Sequence, residues 1–174
     1  MARPKKETTA QRTTWDAGEA NPKQLEFYMA RTPFIGYGGA KGGGKTHAVR
    51  TKAFGGALMN PGIKILVMRQ TYPALEDNHI VPMRRMAAKT GAATYNGTTH
   101  TLSFTNGSSI RFGHWSGDDS EDEYAGQEYD WIFLDEATQF SERAFNYLGG
   151  MLRGSTPFPK RMYITCNPGG VGHR

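Results

Sequence analysis

A chain of 174 residues can bury one core and is too short for two ordinary domains. Its 37% hydrophobic and 21% charged content suits a globular fold, no apolar run nears the roughly 18 residues that span a bilayer, and a single cysteine excludes an internal disulfide. The formal charge of +5 favours polyanionic partners, nucleic acid above all, although Arg3, Lys5, Lys6 and Arg12 carry part of it on a polar tail.

Met1 to Ala10 lacks the apolar stretch of a secretory signal, so the expected location is the cytoplasm, with no membrane partner. Residues 1–20 read as a disordered basic and polar segment in which only Trp15 packs, and residues 21–174 as one domain. Asn21, Pro22 and Gln24 spell the N-cap, first position and capping box of a helix running to about Ala30. Gln24 has a second use open to it, hydrogen bonding to an adenine edge. Pro33 to Tyr37 reads as a short buried strand.

Gly39 to Thr46 fits G-x-x-x-x-G-K-[ST], a phosphate-binding loop. Its residues Gly39, Ala40, Lys41, Gly42, Gly43 and Gly44 let successive backbone N–H groups turn toward the phosphates of a nucleotide, where larger side chains would block the approach. Lys45 reaches the β- and γ-phosphates. Thr46, in the first turn of the following helix, offers its hydroxyl to Mg²⁺, and the helix N-terminus adds partial positive charge. Val49, Ala53 and Ala57 repeat at helical spacing behind it.

Lys64 to Met68 reads as a second parallel strand that Arg69 ends. Tyr72 to Lys89 is helical in pattern but interrupted at Pro82, with Arg84, Arg85 and Lys89 on a solvated face. Asn96-Gly97 and Asn106-Gly107 are hairpin signals flanking a strand from Thr98 to Phe104, and Ser109 to Phe112 follows, together an antiparallel excursion at the sheet edge. The acids between Asp118 and Glu123 lack the spacing of a calcium loop and read as an exposed run. Asp130 to Glu136 is a hydrophobic strand ending in two carboxylates. Coming after a phosphate loop, it resembles a Walker B motif: Asp135 holds Mg²⁺ and Glu136 polarises the attacking water. Ser141 caps a helix whose apolar stripe is Ala144, Phe145, Leu148, Met151 and Leu152. Met162 to Cys166 is a further buried strand, with Cys166 a small core residue. Asn167 is either a turn former before Pro168 or a sensor of the γ-phosphate.

Taken together, several runs are similar to the N-terminal ATPase part of the large terminase subunit, the DNA-packaging motor of tailed bacteriophages. They are Pro22-Lys23-Gln24, the loop Gly38 to Thr46, Val67-Met68-Arg69 with Tyr72-Pro73-Ala74-Leu75, Tyr124 to Asp130, Asp135 to Thr138, and Thr165 to Gly170. The resemblance covers about Asn21 to Arg174. It implies an α/β P-loop NTPase of the ASCE (RecA-like) kind, with a mainly parallel sheet, flanking helices and the Asn167 strand between the phosphate-loop and Walker B strands. It further implies ATP and Mg²⁺ as ligands, catalytic roles for Lys45, Glu136 and Asn167, and Asn167 as the coupling residue. The implied partners are double-stranded DNA, a homo-oligomeric ring (a pentamer) on the portal protein, and the small terminase subunit, in the cytoplasm of the infected host.

Departures from the family pattern bear on two basic positions. Lys41 stands where relatives often carry an arginine, and Ala125 where some carry a trans-acting arginine finger, which leaves Arg69 and Arg111 as candidates for that role. The strand covering the far edge of the phosphate-loop strand and the family's nuclease domain are expected beyond Arg174, so nuclease activity is not expected of this chain, and slow turnover and association are. Alternatives are another ASCE ATPase, such as a helicase or recombinase fragment, and a nucleotide-binding module without hydrolysis.

Overall fold

The apolar runs of the sequence meet in one sheet in a computed structural model that describes residues 15–39, 42–117 and 120–167. In chain order the strands are β1 (Phe34–Gly38), β2 (Lys64–Arg69), β3 (Ala93–Asn96), β4 (Thr101–Phe104), β5 (Ser109–His114), β6 (Trp131–Leu134) and β7 (Arg161–Cys166). Across the sheet they lie β1-β7-β6-β2-β5-β4-β3. The first five in that order pair in parallel, and β4 and β3 add the antiparallel edge. β7 therefore sits between the phosphate-loop strand and the Walker B strand, as the resemblance implied.

Central position explains composition. β6 is buried at every residue and β2 at all but Lys64, because parallel strands are covered by helices on both faces. β1 is the outer strand among the described residues and alternates instead, with Ile35 and Tyr37 buried and Phe34 58% exposed, so the expectation of a wholly buried strand is corrected. One face is packed by α1 (Pro22–Met29) and α2 (Lys45–Met59), whose Val49, Ala53 and Ala57 are fully buried. The other carries α5 (Ser120–Tyr124) and α6 (Glu142–Gly150). Gly56 of α2 lies so close to the sheet that an added Cβ would come within 2.3 Å of the Trp131 ring. Trp15 packs on Phe54 at 5.6 Å between centroids, as expected; residues 1–14 lie outside the described residues.

Several local readings need correction. The helical stretch after β2 is broken before Pro82: α3 (Tyr72–Leu75) runs into a π-helical turn (Glu76–Ile80) and then α4 (Val81–Thr90). Pro82 itself sits in the first turn of α4, where a missing N–H costs little. β4 starts at Thr101 rather than Thr98, because the Asn96 carboxamide accepts from the N–H groups of Thr98 and Thr99 and folds that segment into the turn. Strand β3 precedes it and lacked a clear sequence signal. Glu121 to Glu123 form part of α5, with Glu121 only half-buried against Arg143, while Asp118 and Asp119 lie outside the described residues. Cys166 is half-buried at the end of β7 rather than in the core. Of the predicted α6 stripe, Ala144, Leu148 and Met151 are buried, whereas Phe145 and Leu152 are half-buried; the helix itself stops at Gly150.

At the N-terminal end of β6 the carboxylate of Asp130, 1% exposed, accepts from the Lys160 ammonium at 2.6 Å, the Lys64 N–H at 2.9 Å and the Thr156 hydroxyl. It ties β2, β6 and the approach to β7 together, far from the phosphate loop along the strands. Lys52 of α2 is the opposite case, a cation with no carboxylate partner among the described residues. Its ammonium donates to the Tyr28 carbonyl at 2.6 Å and lies 5.2 Å from the Trp131 ring centre. Burial, and then the charges of Arg161 and Arg31, push its pKa down to about 8.

A lysine held below its ordinary 10.5 in the folded state makes folding release a proton between about pH 8 and 10.5, so its contribution to stability rises with pH over that window. Lys52→Met is accordingly expected to unfold at higher urea than wild type at pH 7, with the gap closing as pH climbs from 8 toward 10.5. Paired urea titrations across pH check it, and a gap that stays constant contradicts the assignment.

Candidate functional site

The phosphate loop is shaped by positive φ angles at Gly42 (+82°) and Gly44 (+74°), which L side chains rarely adopt. Gly44 also serves as the N-cap of α2 without a side-chain bond. Its carbonyl accepts from the Gln24 amide at 3.2 Å, and the Gly43 carbonyl accepts from the Tyr37 hydroxyl at 3.1 Å. Two neighbouring elements thus hold the loop's carbonyls, and the N-terminus of α2 adds the partial positive charge that suits an anion. Gln24 is 6% exposed and completes the predicted capping box: its N–H donates to Asn21 Oδ1 at 2.9 Å and its Oε1 accepts from the Asn21 N–H at 3.0 Å. Its amide is engaged in cap and loop at once. The Lys45 ammonium donates to the Gly39 carbonyl at 2.8 Å, bent back over the loop. A cleft of about 670 Å³ runs from Asn21, Pro22 and Lys23 past Tyr37 to Gly42, Gly43 and Lys45. Ala40 and Lys41 lie outside the described residues.

Opposite the loop, β6 delivers the two acids differently. Asp135 is 1% exposed, and its carboxylate is surrounded by donors: Arg69 Nε at 2.9 Å and Nη2 at 2.7 Å, His79 Nε2 at 2.8 Å and Thr46 Oγ1 at 3.1 Å on Oδ2, and Thr165 Oγ1 at 2.5 Å on Oδ1. Burial alone would raise its pKa, but the His79 bond, the charge of Arg69 and the Thr165 hydroxyl hold it well below the usual carboxylate range. Burial pushes the His79 pKa down against the pull of Asp135, and its Nε2 faces the carboxylate. Glu136 follows in a left-handed conformation, φ +60° and ψ +51°, unusual for a non-glycine residue. That turn takes its side chain off the strand's alternation. Its carboxylate is partly exposed, accepts from the Gln139 amide at 2.7 Å and lies 3.4 Å from Arg69 Nη2. The Thr165 hydroxyl pins both acids, donating to Asp135 and accepting the Glu136 N–H at 3.1 Å.

β7 ends with Cys166 paired to Gly38, so Asn167 lies at the mouth of the phosphate loop. Its carbonyl accepts from the Thr138 hydroxyl at 3.4 Å, and its Oδ1 is buried with no partner among the described residues. The structure therefore brings Lys45, Thr46, Asp135, Glu136 and Asn167 to one end of the sheet. Thr46 and Asp135 suit Mg²⁺: both are oxygen donors, one anionic, and they already face each other across the loop.

A family model described as phage terminase large subunit matches residues 31–173. The chain belongs to the phage terminase large subunit family. A search of the curated proteins found no match. Among solved structures, the terminase chain superposes on the large terminase of a thermophilic bacteriophage with a TM-score of 0.68 at 19% identity, covering 84% of this chain and 39% of that one. The large terminase of bacteriophage HK97 gives 0.67 at 11%, covering 86% and 33%, and the ATPase domain of the Thermus phage P74-26 large terminase 0.60 at 17%, covering 84% and 64%. At these identities the likeness is one of fold, and the chain spans well under half the length of the first of these proteins. That first protein has also been solved with ATP-γ-S, and that form gives 0.65 at 18%, covering 84% of this chain and 38% of that one.

Three residues of the terminase site had no motif to announce them. His79 comes from the π-helical turn, Tyr37 from inside β1, and Thr165 from one residue before the end of β7. Arg69 changes role. At 6% exposure and bonded to the acids of its own chain, it is corrected as a candidate for a finger reaching another subunit. Arg111 is more open, with its guanidinium 3.5 Å from Glu123 and 5.8 Å from the Tyr124 ring.

Removing one partner of a buried ion pair leaves the other charge uncompensated, at a typical cost of about 3–5 kcal/mol. Arg69→Ala is expected to destabilise the terminase domain on that scale. In an Asp135→Asn background the same change is expected to cost much less. A double-mutant cycle by chemical denaturation measures this, and additive costs would contradict a direct Arg69–Asp135 interaction.

Proposed function

We propose that this domain hydrolyses ATP and that hydrolysis drives double-stranded DNA into a procapsid. The observation that carries the reading is the convergence of Thr46, Asp135 and a partly exposed Glu136 across β1, β7 and β6, beside a loop whose N–H groups are set for phosphate. In this reading the base lies toward Asn21 to Lys23 and the phosphates lie along Gly42 to Lys45, in the cleft that joins them. Lys45 exchanges the Gly39 carbonyl for β- and γ-phosphate oxygens, a stronger charge-assisted contact.

Thr46 and Asp135 are the residues that hold Mg²⁺, which when bound neutralises charge on the β- and γ-phosphate oxygens. Glu136 orients a water in line with the γ-phosphate and accepts its proton as the bond to the ADP leaving group breaks. The separation of tasks follows from environment: a buried Asp135 kept ionised binds a cation, and an exposed Glu136 meets water. Asn167, at the end of the strand between the two motifs, senses loss of the γ-phosphate and passes it to the DNA-gripping surface.

The same reading places the chain in a homo-oligomeric ring, a pentamer by family resemblance, on the portal protein with the small terminase subunit, in the cytoplasm of the infected bacterial host. Arg111 is the remaining candidate for an arginine acting in trans, its side chain being 29% exposed where that of Arg69 is 8%.

Lys45→Ala is expected to abolish nucleotide binding, while Glu136→Gln keeps it and lowers turnover about a hundredfold or more, because one contacts ground-state phosphates and the other orients water. Fluorescent-nucleotide binding beside phosphate release separates them, and equal ATP affinity in wild type and Lys45→Ala would refute the assignment. DNA binding is expected to be independent of base sequence and to weaken steeply with salt, with duplex DNA stimulating phosphate release. A sequence-specific footprint that survives high salt would count against a packaging motor.

A further inference from the structure

The π-helical turn between α3 and α4 is anchored from outside. A helix that widens by one residue gives up regular i→i−4 bonding there; here Val81 N–H reaches back to the Glu76 carbonyl. The Asn78 carbonyl accepts from Arg50 Nη1 at 2.5 Å, and the Asn78 side chain donates to the Ala74 carbonyl at 2.8 Å. Arg50 belongs to α2, one turn beyond Thr46. The turn is thus braced on the helix that carries the loop's hydroxyl, and it presents His79, fully buried, to Asp135 Oδ2 at 2.8 Å.

Besides the hydroxyls of Thr46 and Thr165, Asp135 has two nitrogen partners. Arg69 is a cation and competes with any metal for the same carboxylate charge. His79 is a fully buried imidazole whose Nε2–H donates to the carboxylate at 2.8 Å. Its Nδ1 has no partner among the described residues, so the carboxylate is the ring's one hydrogen-bonding contact there. A donor of this kind stays compatible with a bound cation and fixes which way the carboxylate faces.

We propose that His79 is a positioning residue for the nucleotide-linked metal, holding Asp135 through its Nε2–H so that the carboxylate faces Thr46. The proposal rests on the ATPase reading above and adds to it a residue that touches neither nucleotide nor metal.

The test is the Mg²⁺ dependence of binding of a fluorescent, non-hydrolysable ATP analogue. In His79→Leu, the Mg²⁺ concentration giving half of the metal-dependent gain in affinity is expected to rise about 10–100-fold, with affinity in EDTA unchanged. His79→Gln, whose amide nitrogen can take the place of Nε2, is expected to recover most of it. A wild type indifferent to Mg²⁺ overturns the ATPase reading together with this proposal; a responsive wild type matched by His79→Leu overturns only the role of His79. Should the leucine variant fail to fold, wild-type protein labelled with ¹⁵N-histidine decides. A slowly exchanging Nε2–H resonance that persists on adding Mg²⁺ and the analogue supports the proposal, and its loss on binding overturns it.

Discussion

A carboxylate kept ionised at 1% exposure needs enough donors to replace its water, and Asp135 draws them from four elements: Thr46 of α2, Arg69 of β2, His79 of the π-helical turn and Thr165 of β7. Without them burial would push the acid toward its neutral form, which binds no cation. The network is therefore structural and chemical at once. It locks the C-terminal ends of the central strands to the phosphate-loop helix, and it keeps a negative charge beside Thr46 at the foot of the phosphate loop. Removing a donor is felt in both respects.

The sheet order makes this possible. Placing β7 between β1 and β6 sets Thr165 where one hydroxyl reaches the side chain of Asp135 and the backbone of Glu136, and sets Asn167 at the loop. A chain that ran β1 directly beside β6 would have no residue in that position. The left-handed Glu136 then turns the second acid away from the core. Two adjacent acids thereby acquire different environments, Asp135 buried among donors and Glu136 partly open to solvent.

Arg69 supplies the site's own cationic counterweight. It satisfies Asp135 and approaches Glu136 at 3.4 Å, so a cationic side chain of the same chain balances the two acids. Its burial also limits it to that role. The braced loop has the same character: Tyr37 and Gln24 hold the carbonyls of Gly43 and Gly44 in advance, which lowers the ordering cost of phosphate binding.

Glycine, lysine and threonine at fixed spacing, and two acids closing an apolar strand, are legible in sequence because each motif is local: a backbone curve, a helix start, a strand end. For the same reason Asn21, Pro22 and Gln24 announced the first helix and Ser141 the cap of α6. With these the sequence by itself determined the phosphate loop, the Asp135–Glu136 pair and the α/β class. His79, Thr165 and Tyr37 were not legible, because their meaning lies in contacts across 56, 30 and 6 residues that only packing brings about. The break before Pro82 escaped for a related reason, since the π-helical turn is held in part by Arg50 from another helix. What the tertiary structure alone decided is which side chains surround Asp135, because a buried charge is satisfied by whatever the fold places around it, and no local pattern specifies that.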